Sequence, residues 1–228
     1  GNSYAMVSPL FELPLYLGLG IVSGSISVTF NRLRDAFAEL FDSGAAADVP
    51  LVCRPLLGGA LCGVVGVFLP QTLFNSYTTL GHLLLPTTDT LSLVLLLQLL
   101  LAKLVLSAFC STAGLVGGAF APALFFGAVG GAAYHEVIAG LVDPLLHTHM
   151  GSVELQAGLE HFLALADTPA YATVGAAATL GAIFRAPLTA SMLLFELTQN
   201  HDLVLPVLSA AGLGGVFAEL ISRPRKQW

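Results

Sequence analysis

The stretch Ser111-Thr112-Ala113-Gly114-Leu115-Val116-Gly117-Gly118-Ala119-Phe120-Ala121-Pro122 lies between two apolar segments and decides how the chain folds. Its small residues permit a backbone turn, and Pro122 suits the first turn of a helix because the amide that proline lacks would be unpaired there. We therefore expect a helix to begin here, with the amides of Ala119, Phe120 and Ala121 directed out of its N-terminus. Such a helix end can hold a partly dehydrated anion without a full charge that would trap it. On spacing alone, a loop that packs between helices without a function explains the stretch equally well.

The apolar character of this stretch extends over the whole chain. Of the 228 residues, 56% are hydrophobic and 10% are charged, whereas a soluble domain carries roughly a quarter charged residues. The sequence therefore predicts an integral, multi-pass membrane protein in contact with a lipid bilayer. The 14 acidic residues outnumber the 8 basic ones, and no basic cluster occurs before the last few positions. This charge pattern excludes nucleic acid as a partner, since such binding requires a basic surface.

Seven apolar runs are candidates for membrane spans when they are compared with the roughly 20 residues that cross a bilayer. They lie near 13–30, 56–69, 91–109, 120–141, 171–184, 188–197 and 203–221. Several are short, or are broken by Gly or Pro, as is typical of the discontinuous and tilted helices of channels and transporters. The sequence therefore predicts an all-α bundle.

The basic residues agree with a single orientation of these spans. Arg32, Arg34, Arg54, Arg185, Arg223, Arg225 and Lys226 all fall on one side if the chain crosses the membrane seven times. Cytoplasmic loops carry most Lys and Arg, so this side is predicted to be cytoplasmic or stromal. The long connection 143–169 is then an external loop with a short helix.

Glycines four residues apart, which permit close helix packing, occur as Gly20/Gly24, Gly59/Gly63 and Gly127/Gly131. Such pairs predict a bundle whose backbones approach one another closely.

The chain offers little for metal or cofactor binding. His147 and His149 have no third ligand near them in the sequence and are interpreted as solvated loop residues. Cys53, Cys62 and Cys110 are odd in number, lack a CxxC spacing and are interpreted as small buried hydrophobic residues. We therefore expect no metal and no cofactor.

Several motifs resemble one family of membrane proteins, the CLC chloride channels and chloride/proton antiporters. The segment 117–122 resembles the family's GxFxP signature, and 182–189 followed by 194–198 resembles its RAPLT and E(L/M)T segments. The segments 203–206 and 12–20 extend the resemblance over essentially the whole chain. The residues at 114–118 and 193–198 most resemble the corresponding segments of plant and algal organellar members. This resemblance implies a chloroplast or other organellar membrane.

The resemblance implies the C-terminal half of a CLC transmembrane domain, one of two inverted repeats, over residues 1–228. It implies transport of chloride, as the transported ion, by a voltage-gated channel or an antiporter rather than an enzyme. It further implies that the backbone amides of Gly118, Ala119, Phe120 and Ala121 bind the anion. Gly117, Pro122 and Lys103 would support the start of this helix and the pore beside it.

Parts of the family pattern are missing. The serine ligand and the gating glutamate belong to the first half, and no stretch resembles either. Lys226 stands where the family has a pore tyrosine, and residues 1–228 do not contain the regulatory nucleotide-binding domains that many eukaryotic members have. The chain starts without Met, so we expect a piece of a longer protein. The last two spans are expected to form a homodimer contact, with Leu194 and Leu208 on faces toward lipid or the partner.

Some alternatives remain open from the sequence. The anion is chloride or another small anion such as nitrate, and a non-conducting, degenerate half-protein is a further alternative. An intramembrane hydrolase is disfavoured because neither GxSxG nor HExxH occurs. Lys103 either contributes positive potential to the pore or extends to the membrane surface. Glu196 is interpreted as a structural partner at a helix end, and Arg185 as a cytoplasmic anchor.

Overall fold

The structure is a computed structural model that describes residues 9–43, 49–50, 52–68, 80–81, 83–84, 92–115, 117–148 and 167–222, without the side chains of 9–12, 142–148 and 202. The regular structure of these residues is helical. The main helices are α1 (Pro9–Asp42), α2 (Arg54–Phe68), α3 (Leu93–Thr112), α4 (Phe120–Thr148), α5 (Thr168–Phe184), α6 (Pro187–Thr198) and α7 (Val204–Ser222), with a 3-10 turn at His201–Leu203. Each predicted span coincides with one of these helices, so the all-α fold class is confirmed.

Four of the described helices, α1, α3, α4 and α7, are long and apolar enough to cross a membrane. The others are shorter than a straight crossing requires: α2 has 15 residues, α5 has 17 and α6 has 12. Short helices next to long ones are the pattern expected of discontinuous and tilted segments.

Helix α1 is longer than predicted and continues past residue 30, so Arg32 and Arg34 lie in a helix and not in a connection. The reason is an apolar stripe that hydropathy alone does not detect. Phe37 and Phe41, one turn apart, both pack on Phe109 of α3, with ring centroids 5.4 and 5.5 Å away. This contact stabilises the last turns of α1.

Helix α4 is also longer than predicted and ends at Thr148. His147 therefore lies in a helix, and its interpretation as a loop residue is wrong. His149 and the rest of the predicted external loop up to residue 166 lie outside the described residues.

Helix α5 forms the centre of the bundle. Residues 169–182 are all buried, and α5 packs against α1, α4, α6 and α7. A helix that is apolar on every side must be covered on every side. Its Ala, Gly and Thr residues, which are small, let four neighbours approach it at once.

Two of the three glycine pairs sit at close helix contacts, as predicted. A Cβ atom at Gly20 would lie 2.6 Å from the carbonyl oxygen of Ala210, and one at Gly127 would collide with the backbone of Gly175. Their pair members Gly24 and Gly131 meet α7 and α5 in the same way.

The third glycine pair is different. At Gly59 and Gly63 of α2 an added Cβ would meet nothing within 4 Å. Only Gly58 of this helix is buried. The packing prediction is therefore wrong for this pair, because α2 contacts mainly α3 and exposes the rest of its surface.

Arg54 joins the first two helices. Its Nη2 donates a hydrogen bond of 2.8 Å to the carbonyl oxygen of Phe41, in the last turn of α1, and its Nε donates one of 3.4 Å to that of Val49. The guanidinium also lies over the Phe41 ring, 5.4 Å from its centroid. A cation at the C-terminus of a helix satisfies carbonyls that lack an intrahelical partner.

Helices α6 and α7 expose large apolar side chains. Leu188, Met192 and Leu205 are 74%, 60% and 55% exposed. Leu208 also faces outward, as predicted, but Leu194 is only 2% exposed and packs in the core. The predicted orientation of Leu194 is therefore wrong, because this position of α6 faces the bundle.

Candidate anion site

The helix predicted around Ala119 begins where the sequence places it. Helix α3 ends at Thr112, the chain turns at Gly114 with φ +84°, and α4 begins at Phe120. The carbonyl oxygen of Ala119 accepts the first helical hydrogen bond, from the amide of Ala123 at 3.1 Å. Ala119 is therefore the N-cap, and Pro122 lies in the first turn as expected.

The first amides of α4 are the donors of the candidate site. In the described part of the chain, the amides of Ala119, Phe120 and Ala121 donate no hydrogen bond to another described backbone carbonyl. Pro122 has no amide to contribute. The helix start thus presents a few adjacent donors at the positive end of the dipole of a 29-residue helix. This arrangement can bind an anion weakly through the backbone alone.

The glycine that requires a left-handed conformation is Gly114 and not Gly118. Gly114 has φ +84°, whereas Gly118 lies outside the left-handed range and an added Cβ there would meet nothing within 4 Å. Gly118 therefore does not need a conformation that only glycine reaches easily. Gly114 follows the end of α3, where a left-handed residue, usually glycine, commonly ends a helix.

A cavity of about 200 Å³ lies beside the start of α4. Its walls include one charged residue, Lys103, and six residues of the decisive stretch, namely Ser111, Leu115, Gly117, Gly118, Ala119 and Pro122. The site residues predicted from the sequence are thereby partly brought together. Phe120 and Ala121 do not line this cavity, and the Phe120 side chain is 40% exposed.

Lys103 lies near the middle of α3 and is half-buried in the cavity wall. Its Nζ is 5.6 Å from the centroid of the Phe125 ring of α4. A cation over an aromatic face is stabilised by the ring quadrupole. Lys103 therefore lies in the wall of the same cavity as Gly118 and Ala119.

A second cavity, of about 660 Å³, also reaches Ala119. It is lined by Arg32 and Arg34 of α1 and by Arg185, with Asp35 as the only acidic residue in its lining. Arg185 is exposed and adopts a left-handed conformation (φ 54°) where α5 ends. Basic residues from two distant parts of the chain thus share one cavity, which attracts anions by their summed potential.

Phe30, Ser111 and Ala119 line both cavities and form the boundary between them. Phe30 is 4% exposed and packs on Phe126, with ring centroids 5.4 Å apart. Sequence reasoning missed Phe30 because an apolar residue in an apolar helix carries no signal. Ser111 was part of the quoted stretch, but its spacing did not indicate a role.

Two further expectations are corrected by the structure. None of the three cysteines is buried: Cys53 is exposed, and Cys62 and Cys110 are half-exposed. Glu196 is exposed near the end of α6 and makes no side-chain hydrogen bond or ion pair with another residue in the described ranges. Its interpretation as a structural partner at a helix end is therefore not supported.

A bundle of long and broken apolar helices, with a helix start at two cavities that carry basic residues, is typical of membrane channels and transporters. The sequence profile described as "Voltage gated chloride channel" matches residues 2–219. The chain belongs to this family, so the resemblance noted from its motifs is confirmed.

The curated relatives include plant and bacterial proteins. Over 205 residues the chain is 37% identical to chloride channel protein CLC-e of Arabidopsis thaliana, a match that covers 89% of this chain and 28% of the relative. Over 208 residues it is 31% identical to the H(+)/Cl(-) exchange transporter ClcA of Cronobacter sakazakii, covering 88% of this chain and 38% of the relative. The chain thus spans well under half the length of the curated relatives that it matches.

Solved structures show the same fold. A slow cyanobacterial Cl-/H+ antiporter matches 93% of this chain with TM-score 0.65, and the match covers 45% of that protein. A eukaryotic CLC transporter matches 97% of this chain with the same TM-score and is covered to 34%. Both are 22% identical to this chain, so these matches support the fold and not a particular function.

Proposed function

We propose that the full-length protein containing this chain moves chloride or another small anion across a membrane, as a channel or as a chloride/proton exchanger. The observation that carries the proposal is the start of α4. Its first amides lie at Ala119, on the boundary of two cavities that contain Lys103 on one side and three arginines on the other. Basic residues concentrate anions near the site, and backbone dipoles then hold them weakly.

The roles of individual groups follow from their positions. The amides of Gly118, Ala119, Phe120 and Ala121 would coordinate the anion, while Gly117 and Pro122 shape the helix start. No full positive charge lies on these groups, so a bound anion can leave again, which conduction requires. Lys103, fixed over Phe125, would raise the local anion concentration without coordinating the anion tightly.

The chain would supply only part of the transport pathway. We propose that it is the C-terminal half of a CLC transmembrane domain, because its motifs resemble those of the family's second half. The matches to two relatives, which cover 89% and 88% of this chain but only 28% and 38% of the relatives, support a partial chain. The remaining ligands of the anion, including those that separate a channel from an exchanger, would come from the other half. An organellar membrane of a plant or alga remains our proposal for its location.

The function can be tested at Lys103 with a matched residue of the same helix. In liposomes containing the full-length protein, Lys103→Met should lower the chloride flux about tenfold, equivalent to roughly 1.4 kcal/mol in the barrier. Gln98→Met is the control, since Gln98 is exposed on α3 and lines neither cavity. Equal flux in both variants and the wild type would contradict the role of Lys103.

The binding position can be tested separately with bromide, which scatters anomalously. Crystals of the full-length protein grown in bromide should show an anomalous peak next to the amides of Ala119 and Phe120. Chloride flux without such a peak would support the proposed transport function and contradict the proposed anion position.

We also propose that the full-length protein is a homodimer whose contact includes α6 and α7, both of which carry outward-facing leucines. Leu208→Trp should produce monomers in detergent, measured by light scattering. Leu97→Trp is the control, because Leu97 is exposed on α3 at 45% against 39% for Leu208. Dimers that persist in Leu208→Trp and in Leu205→Trp would place the contact elsewhere.

A further inference from the structure

Two cysteines from distant parts of the chain meet beside the candidate site. The Sγ atoms of Cys62 in α2 and Cys110 in α3 are 3.1 Å apart, although 48 positions separate the residues. Both side chains line the cavity of about 200 Å³ that also contains Lys103, Gly118 and Ala119. Both are free thiols.

The separation of the two sulfurs is compatible with a disulfide bond between the two helices. An S–S bond is about 2.05 Å long, so the two sulfurs need to approach by only about 1 Å. Helix α2 can supply this movement, because Gly58 is its only buried residue and its packing is mainly against α3. The rest of its surface would not have to be repacked.

The thiols are also accessible to a small oxidant. Both are half-exposed, and the adjoining cavity is far larger than the roughly 10–15 Å³ that one water molecule requires. Hydrogen peroxide is only slightly larger than water and can therefore reach either sulfur through this cavity.

We propose that Cys62 and Cys110 are a reversible redox pair, which hydrogen peroxide converts to a disulfide that ties α2 to α3. One sulfur, after loss of its proton, attacks a peroxide oxygen, so the O–O bond breaks and hydroxide leaves. The resulting sulfenic acid reacts with the second thiol, forming the S–S bond and releasing water. In total, two thiols and one hydrogen peroxide give one disulfide and two water molecules.

The bond would also change the cavity, an effect that rests on the proposed function. In the reduced protein the two thiols contact each other at 3.1 Å and Cys110 contacts the carbonyl oxygen of Gly58 at 3.9 Å, whereas a disulfide would tie α2 to α3 covalently. An anion beside Ala119 would then lie next to a more rigid α2. We therefore expect oxidation to lower the anion flux.

The bond itself is tested by mass spectrometry of the full-length protein after peroxide treatment and alkylation. The wild type should give a peptide pair joined through Cys62 and Cys110, which dithiothreitol separates. The variants Cys62→Ser and Cys110→Ser should give none, whereas Cys53→Ser should behave like the wild type because Cys53 is exposed outside this cavity. Unmodified thiols, sulfinic acid at either position, or crosslinks only between molecules would overturn the proposal.

The effect on transport is measured in liposomes with the same proteins. Peroxide should lower the flux of the wild type and of Cys53→Ser about twofold, reversibly, and leave Cys62→Ser unchanged. If no protein conducts in either state, the proposed function fails while the mass spectra still decide the disulfide. If the disulfide forms and the flux is unchanged, the pair does not act on the cavity.

Discussion

The core around α5 and the region around α2 contain the same kind of residue in opposite surroundings. At Gly127 and Gly131, α4 lies so close to α5 that an added Cβ would collide with backbone atoms. At Gly59 and Gly63 of α2, an added Cβ would meet nothing within 4 Å. The same four-residue spacing therefore marks a tight contact in one place and an open surface in the other.

The difference teaches where this molecule is rigid and where it can adapt. The tight region holds α1, α4, α5 and α7 together. The packing of α4 in this region also fixes the position of the start of α4. The open region faces the cavity through Cys62 and is attached mainly to α3. We therefore expect substitutions in the first region to affect folding, and substitutions that enter the cavity beside the second region to affect transport.

The largest effect should come from Gly131→Val. Its Cβ would collide with the backbone of Tyr171, which cannot move without displacing the central helix. Overpacking a core costs about 1–3 kcal/mol even where side chains can shift, so a clash with the backbone should prevent folding. Size-exclusion chromatography should show no monodisperse protein, whereas Gly63→Val should elute like the wild type. A monodisperse Gly131→Val would mean that α4 and α5 are not in close contact.

A smaller effect, confined to transport, is expected of Gly118→Val. The added side chain meets open space and so leaves the fold intact, but it occupies the cavity beside Ala119. Chloride flux should fall about tenfold, roughly 1.4 kcal/mol in the barrier. Gly59→Val, also in open space but away from both cavities, should conduct normally. Equal fluxes would show that the cavity is not part of the path.

Gly114→Ala tests the turn that precedes α4. At φ +84° an alanine should destabilise the protein by about 1–2 kcal/mol, the usual cost of a left-handed conformation. Thermal unfolding in detergent should show this loss. Gly118→Ala should unfold at the temperature of the wild type, because Gly118 lies outside the left-handed range. A loss of the same size at both positions would contradict the assignment of the strained residue.

The smallest effect is expected of Phe120→Ala. The proposed ligands are backbone amides, and the Phe120 side chain lines neither cavity. Flux should change by less than about twofold, since the amides and the helix dipole remain. Liposome flux under the same conditions as for Gly118→Val provides the measurement, and a loss as large as that of Gly118→Val would assign the anion contact to the side chain.

Features that depend only on residues adjacent in the sequence could be predicted. The start of α4 at Phe120 follows from glycines and Pro122 within one short stretch, and the positions of the seven main helices follow from local apolarity. The far end of α1 could not be predicted in this way, since it depends on Phe37 and Phe41 packing against Phe109, which is distant in the sequence.

The residues that line the cavities could likewise not be predicted from the sequence. Arg32 and Arg185 are separated by most of the chain and share a cavity only because α1 and α5 pack together. Cys62 and Cys110 show no motif, and their proximity depends on how α2 lies on α3. Local patterns define a helix, but only packing defines which residues face the same space.

The shortness of α6 has a consequence for the lipid around the molecule. Its 12 residues rise about 18 Å, against a hydrocarbon thickness of about 30 Å, yet Leu188 and Met192 at its surface are more than half exposed. A bilayer that contacts this helix would have to be thinner there than beside α1, which is 34 residues long. Deforming a bilayer costs free energy, and two molecules that meet through α6 would remove part of the deformed area. For the homodimer proposed above, we therefore expect thicker membranes to favour association through α6.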